Sequence, residues 1–188
     1  MPTVLSHAVF AAALYVPFRR SVFPRIAAVG AAAAALPDLD VVSFRFGIAY
    51  GDLLGHRGLT HSLAFAVVFS ALCVLALSRS LPTQARLPAF TYTLLATASH
   101  GVFDAFTNGG LGVAFFAPFS NERVFFPWRP IEVSPLGITS IFSARGLNVL
   151  RSELMWVGLP SLATALLGAL FTRRSEVSIL AAEPAKER

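Results

Sequence analysis

From Thr60 to Ser78 the chain is almost uninterrupted apolar sequence, closed by Arg79. Leu87–Thr107 repeats the pattern, and so does Leu154–Phe171, stopped by Arg173 and Arg174. As helices, all three are long enough to cross a hydrocarbon core of ~30 Å. Pro160 in the last would kink a helix rather than forbid it. Two earlier apolar segments, Thr3–Phe18 and Phe23–Leu36, would reach only about 21–24 Å as helices. They can span a thinned bilayer or form a hairpin against the longer spans. The small residues of Ala27–Ala35 favour close helix packing. The expected fold is therefore all-α: an integral membrane helical bundle of about five helices. A long aromatic-rich loop, Gly109 to Glu153, is expected on the extracytoplasmic side. Residues 1–175 read as one membrane-embedded domain and 176–188 as a flexible tail.

Only 13% of residues are charged, against 55% hydrophobic. Soluble domains carry about 25% charged residues. The net charge is +5, yet Lys186 is the one lysine and the arginines are spread along the chain. Without a dense basic patch, no nucleic-acid partner is expected. Cys73 is the single cysteine, so no disulfide framework exists. Arg19 and Arg20 follow the first apolar stretch instead of preceding it, which is the wrong order for a cleaved signal peptide.

The four histidines all sit in short polar clusters within this apolar chain. They are His7, His56 and His61 in HRGLTH, and His100 in HGVFD. PDLD supplies Asp38 and Asp40, and Asp104 stands four residues after His100. His7 is near the start of the first helix, the two PDLD carboxylates follow the second, His56 and His61 open the third, and His100 and Asp104 close the fourth. In an up-down bundle these four places share one membrane face. The opposite face takes Arg19, Arg20, Arg25, Arg79, Arg86, Arg173 and Arg174, which makes it cytoplasmic by the positive-inside rule and the cluster face extracytoplasmic, against Arg45, Arg57, Arg123, Arg129, Arg145 and Arg151 on the cluster side, four of them in the long loop where the rule is weak.

Ionisable side chains within membrane segments are costly unless they bind or pair. His100 and Asp104, four apart on a helix, project from one face. After Pro37, Asp38 and Asp40 read as extended or turn-like, with both carboxylates aimed one way. His56 and His61, five apart, would diverge on one helix, so His56 belongs in the loop and His61 on the first turn of the third span. Imidazole with carboxylate favours Zn, Mn or Fe over Ca or Mg. Seven candidate ligands (His7, Asp38, Asp40, His56, His61, His100, Asp104) suit one to three ions. Arg57, Arg123 and Arg129 are candidates to clamp a phosphate, and Asp40 is a candidate general base. Taken singly, each has a plainer reading. His7 and Asp38 suit helix caps, His100 with Asp104 an interhelical polar pair, Asp52 a turn, and the loop arginines interfacial anchors.

The early Ser-His at His7, PDLD, HRGLTHS (His56–Ser62), HGVFDAFTNGG (His100–Gly110) and APFS (Ala117–Ser120) resemble the bacterial inner-membrane proteins of the YdjM/YbcI type, described as metal-dependent hydrolases. The resemblance covers roughly residues 1–160. It implies a multi-pass protein of the inner membrane with a hydrolase-type metal site, and a remoter kinship to the all-helical zinc phospholipase C group. The N-terminal tryptophan ligand of that group has no counterpart, since Trp128 and Trp156 lie far downstream. The expected function is metal-dependent hydrolysis of a phosphoester in a lipid or lipid-linked substrate. The alternative is a membrane metal-binding or transport protein without hydrolytic chemistry.

Overall fold

The computed structural model describes residues 1–134 and 143–182. It is all-helical: α1 (Val4–Phe18), α2 (Pro24–Ala35), α3 (Leu63–Ala76), α4 (Thr83–Ala105), α5 (Ala144–Glu153) and α6 (Leu159–Ala182). A π-helical turn, Leu154–Gly158, joins α5 to α6 without a break, so the bundle has five rods. Among the described residues the only β pairing is two isolated bridges in the long loop, Thr107 with Ile131 and Val113 with Val124. The expected tail from residue 176 includes the end of α6; residues 183–188 lie outside the described residues, as does the loop stretch 135–142.

Local chemistry explains where the elements differ from the sequence expectation. The last rod begins at Ala144, ten residues before the apolar run that announced it. Arg145, Asn148 and Arg151 hide this start from hydropathy, while Ser143 caps it by accepting from the Gly146 N–H at 3.1 Å. The π turn lies just before Pro160, which has no N–H to give the helix ladder; the Leu159 N–H bonds five residues back to Leu154. α3 starts later than expected, at Leu63, because Ser62 caps it. After Pro37 the chain does not extend: it winds on from α2 as a 3-10 helix, Leu36–Phe46, until Gly47 turns left-handed at φ 73°.

The packing is inverted relative to a soluble bundle. α4 lies at the centre, against α1, α2 and α3, and α6 packs on α1. The buried apolar residues are mostly small, among them Ala11, Ala33, Ala34, Ala66, Ala89 and Ala96. Large apolar side chains face outward: Leu5 and Leu87 are each 72% exposed, and Leu75 69%. Small residues let helix backbones approach closely where lipid, not water, covers the outside. A Cβ on Gly168 would come within 2.6 Å of Pro17 Cδ, which shows how near α6 lies to α1. Buried Tyr92 on α4 donates its hydroxyl to the Ala11 carbonyl at 3.0 Å and lies 3.3 Å from that of Ala27, tying α1 and α2 to the central helix. By length and apolarity, two helices could cross a membrane, Pro24–Phe46 and Ala144–Arg173; Val4–Phe18 and Leu63–Ala76 are shorter apolar helices.

Candidate metal centre

Four donor atoms from four segments meet at one end of this bundle. The last turns of α4 carry His100 and Asp104, both 0% exposed. The 3-10 helix after α2 brings Asp38, and a short 3-10 turn, Leu59–His61, brings His61 ahead of α3. Gly101 lets that turn lie against α4, since a Cβ there would come within 2.8 Å of the His61 carbonyl oxygen. His61 Nε2 lies 3.1 Å from His100 Nε2, 3.4 Å from Asp104 Oδ2 and 3.8 Å from Asp38 Oδ1. His100 Nε2 lies 3.2 Å from Asp38 Oδ1 and 3.9 Å from Asp104 Oδ2.

The partners of the two rings fix their tautomers. His100 Nδ1 is 2.6 Å from the Ala34 carbonyl, which can only accept, so Nδ1 holds the proton. His61 Nδ1 faces Asp40 Oδ2 at 3.1 Å and Thr60 Oγ1 at 3.0 Å. Thr60 already spends its hydroxyl proton on Asp40 at 2.7 Å, so both neighbours accept and His61 Nδ1 also holds its proton. In its neutral form each ring therefore turns a lone pair inward. With both rings neutral, two imidazole lone pairs and two carboxylate oxygens converge with no donor among them; a cation between them resolves that repulsion, as a second proton on His61 also does, burial lowering its pKa but Asp104, Asp38 and Asp40 raising it to about 10. Ligands at ~2.1 Å around a tetrahedral zinc would stand about 3.4 Å apart, within the observed range of 3.1–3.9 Å. Asp38 Oδ2 and Asp104 Oδ1 have no hydrogen-bond partner, and Asp104 Oδ2 has an ion pair with Arg57 Nε at 3.0 Å. The residues fit a divalent metal ion, and this buried His/Asp group could hold one.

Charge counting agrees. The side chains of Asp38, Asp40 and Asp104 are at most 5% exposed, and Arg57 is the buried cation among them. One divalent ion brings these side chains to neutrality, whereas an unbalanced buried charge is expensive.

The remaining sequence candidates surround this group. Asp38 and Asp40 do not aim the same way: on a 3-10 helix, residues two apart diverge by about 120°, so they flank His61 from opposite sides. Asp40 accepts from His56 Nδ1 at 2.6 Å, the Arg57 N–H at 3.1 Å and Thr60, as well as from His61. Asp40, His56 and His61 form a second group able to hold a metal, although 2.6 Å between Asp40 and His56 is a hydrogen-bond distance. His7 stacks on His100 with ring centroids 3.8 Å apart, and its Nε2 is 3.8 Å from Asp104 Oδ1. Neither of its nitrogens has a hydrogen bond.

Arg57, at φ 63° and 1% exposed, points inward. It donates to the Gly109 carbonyl at 2.8 Å and Thr107 Oγ1 at 3.0 Å, while Nε sits 3.0 Å from Asp104 Oδ2. Arg123 donates to the His56 carbonyl at 2.8 Å and the Asp52 carbonyl at 2.9 Å, and lies over Tyr50. Burial lowers the Arg123 guanidinium and raises the Tyr50 phenol from their ordinary pKa values. Arg129 is exposed and stacks on Phe125. Sequence reasoning missed Tyr50 and the Ala34 carbonyl, and held Thr60 and Thr107 only as parts of the matching motifs, without a role. Thr107 had a signal, since its place three residues after Asp104 falls in the next turn of the same helical stretch.

A family model described as "YdjM inner membrane protein" matches residues 1–177. The chain belongs to the YdjM inner membrane protein family. It is 41% identical over 175 residues to "Inner membrane protein YbcI" of Escherichia coli (strain K12), covering 93% of this chain and 99% of that protein. No solved structure matches the chain. The family places the chain among inner membrane proteins, in keeping with its outward leucines and inward alanines.

Proposed function

We propose that this YdjM-family protein is a multi-pass, metal-dependent hydrolase of the inner membrane. It acts on a phosphoester of a lipid or lipid-linked substrate, with its site on the extracytoplasmic side. The observation that carries the reading is the convergence of Asp38 Oδ1, His61 Nε2, His100 Nε2 and Asp104 Oδ2 as acceptors with no donor among them. The nitrogen and oxygen donors favour zinc, with manganese or iron next. When bound, the ion would supply Lewis acidity and an acidified water.

The protein's own residues have distinct tasks in this proposal. Asp38, His61, His100 and Asp104 hold the ion. Asp40 and the Ala34 carbonyl lock the two ring orientations, as partners of metal-bound histidines do. Arg57 holds Asp104 in place; its guanidinium is spent on Asp104, Thr107 and Gly109, so it positions rather than clamps substrate. Asp40 already receives four donors and is a poor base. It orients His56 instead, whose Nδ1–H points to Asp40 and whose Nε2 is left to accept a proton. His56, Tyr50, Arg57 and Gly110 line a cavity of about 160 Å³ beside the centre, where a headgroup could meet that base.

A second reading rests on the closure of the centre. His100 and Asp104 have no exposure, and structural metal sites are closed where catalytic ones keep an open position. On that reading the protein binds or passes metal without hydrolysis. One experiment separates the two. Metal content is measured on purified protein, followed by hydrolysis of phosphatidylglycerol and phosphatidylcholine in mixed micelles, for wild type, His61→Ala and Asp104→Ala. Hydrolysis requires about one equivalent of transition metal and turnover lost in both variants. Metal without turnover supports the second reading, and absence of stoichiometric metal ends both.

A further inference from the structure

A cavity lies at the other end of the bundle. It measures about 550 Å³ and is lined by Arg19, Arg20, Phe23, Pro82, Gln84 and Ala85, among others. Ala85 and Asp104 stand at opposite ends of α4, about 29 Å apart along its axis, close to the thickness of a hydrocarbon core. On the multi-pass reading proposed above, the cavity is at the level of lipid headgroups on the face away from the metal centre, whichever way the protein is inserted.

Every acidic residue before Arg173 lies at the metal end or in its loops, where Arg45, Arg57, Arg123, Arg129, Arg145 and Arg151 accompany them; Arg19, Arg20, Arg25, Arg79 and Arg86 lie at the cavity end with no acidic residue before Arg173 in the same links. The arginine-rich links also brace each other. Arg25 donates to the Ser80 carbonyl at 2.5 Å, Arg86 to that of Ser78 at 2.9 Å, and Arg19 to Thr172 Oγ1 at 3.1 Å. Of these arginines Arg19 lines the cavity, and Arg20 beside it makes the second cation of its wall. Two helix starts add to its positive potential. α2 and α4 both begin at its rim, with no side-chain cap and no acidic residue in the first turn. Apolar Phe23 and Pro82 beside the arginines suit a ligand that is anionic at one end and greasy at the other.

We propose that this cavity binds the phosphate headgroup of an anionic phospholipid, as a site separate from the metal centre. Basic pockets between membrane helices take such headgroups, and the volume matches ordinary ligand sites of ~300–1,000 Å³. Positive-inside anchoring alone would spread arginines along the interface without needing a cavity between them.

The test uses the full chain in detergent micelles, with binding of phosphatidylglycerol and phosphatidylcholine followed by native mass spectrometry and by thermal shift. Wild type should bind phosphatidylglycerol at least tenfold tighter than phosphatidylcholine. Gln84→Glu, an isosteric change at an exposed position, should remove that preference while leaving metal content unchanged; Arg20→Gln should weaken it several-fold. Equal affinity for the two lipids overturns the proposal, as does a preference that survives both substitutions. Inorganic phosphate serves as competitor. Little displacement at millimolar concentration supports the lipid, whereas full displacement makes this a soluble-phosphate site and overturns the lipid assignment.

Discussion

Replacing Asp40 with asparagine separates the roles that a carboxylate beside two histidines can play. Three donors converge on Oδ2, from Arg57 N–H, Thr60 and His61, while Oδ1 faces only His56 Nδ1. An asparagine has one acceptor oxygen, and the three donors claim it. Its NH₂ then points at His56, which can answer only by moving its own proton to Nε2. His61 keeps its orientation and tautomer but donates to a neutral oxygen, where charge-assisted bonds are roughly twice as strong. Loss of such an outer partner weakens metal binding about 10–100-fold, or about 1.4–2.7 kcal/mol. Proton transfer by a well-placed base is worth about 10²–10⁴-fold, and His56 Nε2 now carries a proton. Turnover of Asp40→Asn at saturating metal should therefore fall by that factor while the metal equivalent is retained. Chelator competition gives the affinity, mass spectrometry the stoichiometry, and micelle hydrolysis the rate. Loss of a whole metal equivalent at saturation would show Asp40 to be a ligand of its own ion. Unchanged affinity and rate would refute the orienting role.

Two further outcomes follow from the same geometry. Metal held at a thousandfold over its dissociation constant stabilises the folded chain by about 4 kcal/mol. At about 2–4 °C per kcal/mol for a chain of this size, chelation should lower Tm by roughly 8–16 °C, and a Tm indifferent to metal would remove the four-acceptor argument. Arg57→Lys keeps the charge but cannot reach Asp104, Thr107 and the Gly109 carbonyl together. With two buried acceptors left unpaired at about 1–3 kcal/mol each, thermal unfolding should register a loss of about 2–6 kcal/mol. No change would mean that Arg57 does not hold Asp104.

The meeting of the clusters was legible because it depends on order alone. Alternating helix starts and ends must share a face, whatever the exact boundaries, and the contacts among Asp38, His61, His100 and Asp104 realise that order. The roles within the cluster were not legible. Whether Asp38 and Asp40 aim together or apart turns on a 3-10 continuation past Pro37, which leaves no hydrophobic period to read. Asp40 meets His61 across a loop rather than along a helix, so no spacing rule connects them. The start of α5 was hidden for another reason: Arg145, Asn148 and Arg151 dilute its apolarity, although the helix is real and capped.

The two ends of the bundle answer one constraint in opposite ways. A chain with alanine inside and leucine outside can bury few charges, and it gathers its acids and arginines at the ends of its helices. Around the metal centre, with the histidines neutral, the buried Asp38, Asp40 and Asp104 against Arg57 leave two negative charges, which one divalent ion balances. At the other end, Arg19 and Arg20 line an open cavity, with the uncapped starts of α2 and α4 at its rim. A cavity of that charge at headgroup depth suits an anion from outside the chain, and the anion at hand there is a phosphate on a lipid.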